Sequence, residues 1–521
     1  MFRIICLFVL SLFSISLKAQ QNRLIKLKID LSKTAQVIEN FGSSGCWYSE
    51  SVGNFWPSEK KEKIAELLFS RKINDDGSLA GIGLSAWRFN IGAGTLEQGS
   101  NSGIKDFNRR TDSFLNPDGT YDWNKQVGQR FFLQKAKDYS VETLIAFSNS
   151  PPVQFTKNGL GFKTEKDFTT NLRDDRYENY AQFLTNVIKH FDQQKIHFSY
   201  ISPVNEPQWD WSRKPGEADQ EGTPWTNAEI FKVTKELNTV LEKEKLTSKI
   251  LISEAGMLNY LYAGTGKATH QIQSFFDEKN ALYVGNLSRV PKTIAGHSYF
   301  TESNNKVLLE TRKHLADTIK KYQLNFWQSE YSMLADGFRE GQQGDRSPMD
   351  CALFLAKVIH ADLTVGNATA WQFWNAYEPG NAKRNTRYYL IALQPKPDFK
   401  DGEFMVTKNL WALGHYSRFV RPGMTRILTE TIPDKENELQ KELLVSAFKN
   451  KDNKLVLVLV NYGKVDIDIE LEIKNAKRNY TTATTYVTNT EEGMDMKLQV
   501  KKKPSETTTI KARSIQTILV D

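Results

Sequence analysis

Cysteine is nearly absent from this chain: three in 521 residues, at positions 6, 46 and 351. That scarcity excludes a disulfide scaffold and, with no paired-Cys motif, a structural zinc site. Only Cys46 and Cys351 lie beyond the first few residues, and either one bond or two buried thiols would suit them. Histidine is also sparse, and its 7 copies show no metal-ligand spacing, so no metal is expected. Nucleotide signatures fail in detail. GIGLSA at 81–86 precedes its strand instead of following one, and GTGKAT at 264–269 has Leu261 where a phosphate loop needs Gly. FGSSG lacks the order of a nucleophile elbow, and no cofactor is expected. A formal charge of +8 is spread thinly, with one basic tail, KLQVKKK, near residue 500. No nucleic-acid partner follows from that. Repeats and low-complexity segments are missing as well.

No apolar run is long enough to favour a membrane span. The longest, Ile4–Leu17, follows Arg3 and ends at Lys18-Ala19. This is the layout of a signal peptide over residues 1–19, which predicts an exported mature protein without stable membrane insertion.

What the chain does have is aromatic and apolar residues, 12% and 40% of the total, enough for a large core. LIKLKID at 24–30 alternates as a strand. From about residue 35, short apolar runs alternate with amphipathic helices. Eight runs end at Phe41-Gly42, Asn90-Ile91, Ser148-Asn149, Asn205-Glu206, Ser253-Glu254, His297-Ser298, Ser329-Glu330 and Trp371–Phe373. Thr226 with Glu229 predicts a capping box, and Ser347-Pro348 with Asp350 another helix start. The pattern predicts a (β/α)8 TIM barrel over 35–404. Beyond residue 405 the helical pattern stops and strands follow, which predicts an all-β sandwich over 405–521, joined by the N-terminal strand at 20–34.

Carboxylates carry the chemistry. IHFSYISPVNEPQWDW at 196–211 places Glu206 at a strand's carboxyl end, after Asn205 and before Trp209 and Trp211. NFWQSEYS places Glu330 at an equivalent address. Glycoside hydrolysis needs one carboxylic acid to protonate the leaving oxygen and one carboxylate to attack or to activate water. Glu254 in LISEAG shares the address but has fewer polar and aromatic neighbours, and it ranks behind the pair.

In order along the chain, AWRFNIGAG, AFSNSPP, SPVNEP, GHSYF, WQSEYS and WQFWN resemble glycoside hydrolase family 30, as does LGHYSRFVRPG at 413–423. The resemblance implies a retaining hydrolase with Glu206 as acid/base and Glu330 as nucleophile. It implies that Asn205 meets the sugar 2-hydroxyl, that Arg88 holds the nucleophile's charge, and that His297 and Tyr299 line the bound sugar. Asn149, Trp209, Trp211 and either Trp371 or Trp374 complete the implied substrate-binding set, with Trp225 on the same loop as Trp209. FGSSGCWYSE, the AFSNSPPVQFTKNG run and NEPQWDW look most like the endo-β-1,6-galactanase branch, whose substrate is a polysaccharide or oligosaccharide. The alternatives are action on β-1,6-glucan, xylan or a glucosylceramide-like glycan, or a carbohydrate-binding barrel without turnover.

Overall fold

The computed structural model describes residues 23–335, 346–432 and 442–521. The expected signal peptide lies outside the described residues. Among them, no helix is long and apolar enough to cross a membrane.

Eight parallel strands form one sheet: Asn40–Ser44, Ala86–Asn90, Thr143–Phe147, Tyr200–Ser202, Lys249–Ile250, Thr293–His297, Asn325–Glu330 and Ala370–Phe373. Taken as first to eighth, each pairs with its neighbour, and the first pairs with the eighth through Asn40↔Ala370. The fifth and sixth close the ring through the parallel bridge Ala255↔Gly296 and the bond from Ala295 N to Ile252 O. These are the strands read from the sequence. The capping boxes at Thr226 and Ser347 are present, the latter with Pro348 in its first turn.

The barrel interior is filled, not hollow. Ala86, Ile145, Leu251, Ala295, Trp327 and Ala370 share one buried cluster, with Tyr200 4.6 Å from the Trp327 ring. One large ring surrounded by small residues makes the floor of the site. Strand side chains alternate faces, so the residue two positions on points inward again, one layer higher. Ala86, Ala295 and Trp327 are therefore followed in the next layer by Arg88, His297 and Ser329. A register slip in the seventh strand, from Gly296↔Gln328 to His297↔Glu330, brings Glu330 level with His297. Bulges of this kind re-aim side chains beside active sites.

One element departs from expectation. A helix, Lys408–Ser417, follows the eighth strand, where only strands were predicted, and it supplies the barrel's last helix. Asn409–Ser417 are all buried, so the segment has no polar stripe to give it a helical period. A three-stranded sheet, Tyr377–Pro379, Ile391–Pro395 and Gly402–Val406, precedes it.

The carboxyl-terminal strands form the expected β sandwich as one nine-stranded order that closes on its own core. Arg23–Val37 runs parallel to Ile467–Lys474 and antiparallel to Thr425–Ile432, so the N-terminal strand does return to this module. Its alternate residues Ile25, Leu27, Ile29 and Leu31 enter that core with Leu457, Ile469 and Ile518. Leu444, Phe448, Val456 and Val458 face the other way and join the barrel's core. His415 fixes the contact through Thr517 Oγ1 at 2.8 Å and Thr488 Oγ1 at 2.9 Å. Cys46 and Cys351 are buried free thiols.

Candidate active site

The layer above Trp327 is ionic. Arg88 donates from Nη1 to Glu330 Oε2 at 2.6 Å and from Nη2 to Glu254 Oε1 at 3.5 Å. Its guanidinium lies 4.2 Å over the Phe147 ring. His297 donates from Nδ1 to Glu206 Oε1 at 3.0 Å and from Nε2 to Glu254 Oε2 at 3.2 Å. Its Nδ1 is also 3.7 Å from Glu330 Oε1, which accepts from Tyr299 Oη at 3.0 Å. Ser329 Oγ donates to Glu254. One carboxylate oxygen of Glu206, one ring nitrogen of His297 and one oxygen of Glu330 all lie within 4.8 Å of one another. The fourth, sixth and seventh strands thus converge on one point.

Exposure separates the three carboxylates. Glu254 is 0% exposed, whereas Glu206 retains 9% and Glu330 5%. Glu254 is closed in by Arg88, His297 and Ser329 and presents no edge to a substrate. Glu206 and Glu330 face the mouth.

Their ionisation follows from the same contacts. Burial would raise the Glu254 carboxyl, but Arg88, His297 and Ser329 overcome it and hold the group down at about 2. For His297, burial opposes the charge, yet Glu330, Glu206 and Glu254 push it up to about 10. Burial raises the Glu206 carboxyl, and the Glu330 charge adds to this against the opposing pull of His297. Burial and the Glu330 charge keep Tyr299 a neutral donor. Three carboxylates around two cations leave one negative charge in excess, so a single proton on Glu206 neutralises the cluster.

Backbone geometry aims the acids. Glu206 and Glu254 both adopt left-handed φ, 45° and 52°, which costs an L residue about 1–2 kcal/mol. Glu206 N donates to Glu254 O at 2.9 Å, and Trp211 Nε1 donates to Glu206 O at 3.0 Å. Trp211 fits because residue 222 is Gly, where a Cβ would stand 2.4 Å from its ring. Trp211 therefore supports the Glu206 backbone through its indole nitrogen.

The other expected residues divide. Asn205 is buried with Oδ1 lacking any partner, free to meet a hydroxyl. Asn149 is buried near Asn90, at 3.4 Å. Trp209 is half-buried, with Tyr260 and Phe300 each 6.1 Å away. Trp374 is half-buried at the mouth, edge-on to Trp47 at 5.3 Å and to Phe147 at 6.2 Å. Trp371 does not belong with them: it is 0% exposed, and its Nε1 donates to Asp362 Oδ2 at 2.8 Å. A ring sealed behind the strand cannot floor a sugar site. Trp225 is likewise a core residue, stacked on Tyr180 at 6.3 Å. Sequence reasoning missed Trp47, whose buried Nε1 has no partner and whose ring carries Arg109 at 4.5 Å. It stood in the quoted FGSSGCWYSE segment, so its position was visible even though its role was not.

The chain is similar to known proteins along most of its length. A family model described as O-Glycosyl hydrolase family 30 matches residues 24–388, and one described as the family 30 beta sandwich domain matches 425–518. An endo-beta-1,6-galactanase from Hypocrea rufa is 25% identical over 461 residues, 84% of this chain and 81% of that protein. The glucuronoxylanase XynC from Bacillus subtilis is 22% identical over 336 residues, 63% of each. The crystal structure of a conserved exported protein from Bacteroides fragilis superposes with a TM-score of 0.88 at 32% identity, over 95% of this chain and 100% of that one.

Proposed function

Because the chain belongs to O-glycosyl hydrolase family 30, its chemistry is glycosidic-bond hydrolysis, and we propose that it is an exported, retaining enzyme that cleaves β-1,6-linked galactan. The observation that carries the mechanism is the approach of Glu206 and Glu330 oxygens to within 4.8 Å. Retaining enzymes hold their carboxyl groups about 5–5.5 Å apart, whereas inverting ones need about 6.5–9.5 Å to admit a water. Glu330 is the nucleophile: Arg88 and Tyr299 each donate to one of its carboxylate oxygens and hold it still. Glu206 is the acid. His297 occupies its Oε1, so its proton sits on Oε2, toward the leaving oxygen.

In the first step Glu330 bonds to the anomeric carbon while the Glu206 proton passes to the departing oxygen. Glu330 loses its charge as Glu206 gains one, and the His297 imidazolium stands beside both throughout. Esterified Glu330 no longer raises the Glu206 pKa, so Glu206 is poised as a base to deprotonate the incoming water. The unpartnered Asn205 Oδ1 is the acceptor for the sugar 2-hydroxyl. The galactan assignment rests on the Hypocrea rufa relative and on the quoted segments. Export rests on the Ile4–Leu17 apolar segment and on the exported Bacteroides fragilis relative. The test is reducing-sugar release from β-1,6-galactan, β-1,6-glucan and glucuronoxylan. Galactan is expected to be the preferred substrate; release from xylan or glucan alone would overturn the substrate, and binding without release would overturn the enzyme.

A further inference from the structure

The loop that follows Glu206 buries an acid the mechanism does not use. Residues 207–226 lead from the fourth strand to the helix Asn227–Lys243, and within them Glu221 is 0% exposed. Its donors are neutral: Ala93 N lies 3.2 Å from both carboxylate oxygens, and Thr95 Oγ1 donates to Oε1 at 2.6 Å. Thr95 Oγ1 itself accepts from Thr111 N at 2.9 Å, which turns its own proton toward Glu221. One amide N–H set between two oxygens needs an acceptor on both sides, which Gln does not offer. The contact is specific to a carboxylate. Burial holds that carboxyl up at about 7, against the pull of Thr95, Thr111 and Ala93. An acid buried without a cation is costly, and such a cost is kept where another group depends on the contact.

Gly222, the next residue, carries the contact inward. Its N donates to Gly161 O at 2.9 Å, and it bridges Phe162 in parallel register. Lys163 of the same stretch bridges Ser212, and Arg213 N donates to Lys163 O at 3.0 Å. The close approach requires Gly161, where a Cβ would stand 2.5 Å from Thr95 Cγ2 and 3.2 Å from Glu221 Cγ. The Trp211 indole lies against Gly222, and its Nε1 donates to Glu206 O at 3.0 Å. That carbonyl also accepts from Trp209 N at 3.2 Å, a bond internal to the turn. The Trp211 bond ties the turn to the loops around it. Glu206 keeps its left-handed φ of 45° only while its surroundings hold it.

A continuous route thus runs from Ala93 and Thr95 through Glu221, Gly222 and Trp211 to the Glu206 backbone. We infer that Glu221 is a positioning residue for the acid: it locks the loops after the second and fourth strands together, seats Trp211, and so sets where Glu206 delivers its proton. This rests on the reading of Glu206 as the acid/base. A positioning role predicts a loss confined to reactions that need the proton. A phenol of low pKa departs with little protonation, so a misplaced acid matters little to it; a phenol of high pKa depends on the acid fully.

The test uses the full chain with aryl β-1,6-galactobiosides whose leaving groups run from 2,4-dinitrophenol to unsubstituted phenol, with Tm measured on each variant. Glu221→Gln should lower kcat/KM about tenfold or more on the phenyl glycoside and less than about twofold on the dinitrophenyl one. Thr95→Val keeps the shape and drops the hydroxyl donor, and it should show the same selectivity in weaker form. Thr95→Ser restores the hydroxyl and should return the wild-type values. Trp211→Phe removes the indole donor and should share the selectivity. Combined with Glu221→Gln it should cost no more than the larger single loss, because both act along one route. Equal losses on the two leaving groups, additive losses in the double variant, or a fall in Tm without selectivity would overturn the inference. Glu206→Gln is the reference and should show the same selectivity in larger degree. If it showed none, the acid assignment itself would fail and take the inference with it, an outcome read without any change at Glu221.

Discussion

Replacing Glu254 with Gln removes one buried negative charge and leaves the side-chain shape intact. Glu254 is 3.2 Å from His297 Nε2, where a unit charge at an effective dielectric of about 20 contributes about 5 kcal/mol, or three to four pKa units. His297, held up at about 10 in the native site by Glu330, Glu206 and Glu254 together, should therefore titrate at lower pH in the variant. The sign is fixed by the direction of that shift. A histidine raised above its unfolded value of 6.5 adds stability that is complete below 6.5 and lost as pH rises through the folded value. In Glu254→Gln the Glu254 share of this contribution is lost, and the fall in stability should be about 3 kcal/mol, typical of breaking a buried pair. The kinetic consequence is more specific. His297 loses its charge at lower pH in the variant than in the native site, and above that point the anion that forms on Glu206 in the first step loses its imidazolium partner. The alkaline limb of kcat/KM should move down by two units or more, and the His297 ring resonances should titrate with the same midpoint. An unchanged alkaline limb, with His297 still charged at pH 9, would refute the reasoning.

Other expectations follow from single contacts. Glu330→Gln should leave oligosaccharide binding within a few-fold of wild type by calorimetry while turnover falls by several orders of magnitude. Because Glu330 is one of the groups raising Glu206, the Glu206 carboxyl should also titrate at lower pH in that variant. Trp371→Phe removes a hydrogen bond to the buried Asp362 carboxylate, so it should cost about 1.5–3 kcal/mol in denaturant unfolding and leave KM unchanged. His415 is buried and depressed to about 3 by burial. Protonation of the unfolded chain should then drain stability as pH falls below 6.5 toward about 3, by as much as about 4–5 kcal/mol. His415→Gln should flatten that part of the curve of stability against pH.

Much of this was legible because a short apolar run bounded by polar residues marks a strand buried on both faces. Eight apolar runs with polar residues at their ends gave the barrel and both mouth-facing glutamates. The helix Lys408–Ser417 escaped for the converse reason: it is buried all round, so it has no polar face to set a period. Trp371 stood beside Trp374 as a candidate sugar floor because a tryptophan near a strand's end reads the same whether it faces the mouth or the helices behind. Only register decides, and the slip at Ser329 cannot be seen in NFWQSEYS. Glu254 was set behind the pair, and its part in charging His297 depends on a contact 43 residues apart in sequence. His297 itself looked like a residue lining the sugar, and its place between three carboxylates appears only when four strands converge.

The central claim is that Glu206 and Glu330 act on opposite sides of a single anomeric carbon by double displacement. The most direct measurement is proton NMR of the first product formed from β-1,6-galactan, before mutarotation. The account predicts the β-anomer as the initial signal, decaying toward the equilibrium mixture. Initial appearance of the α-anomer would mean inversion, and would contradict the double displacement proposed for Glu206 and Glu330.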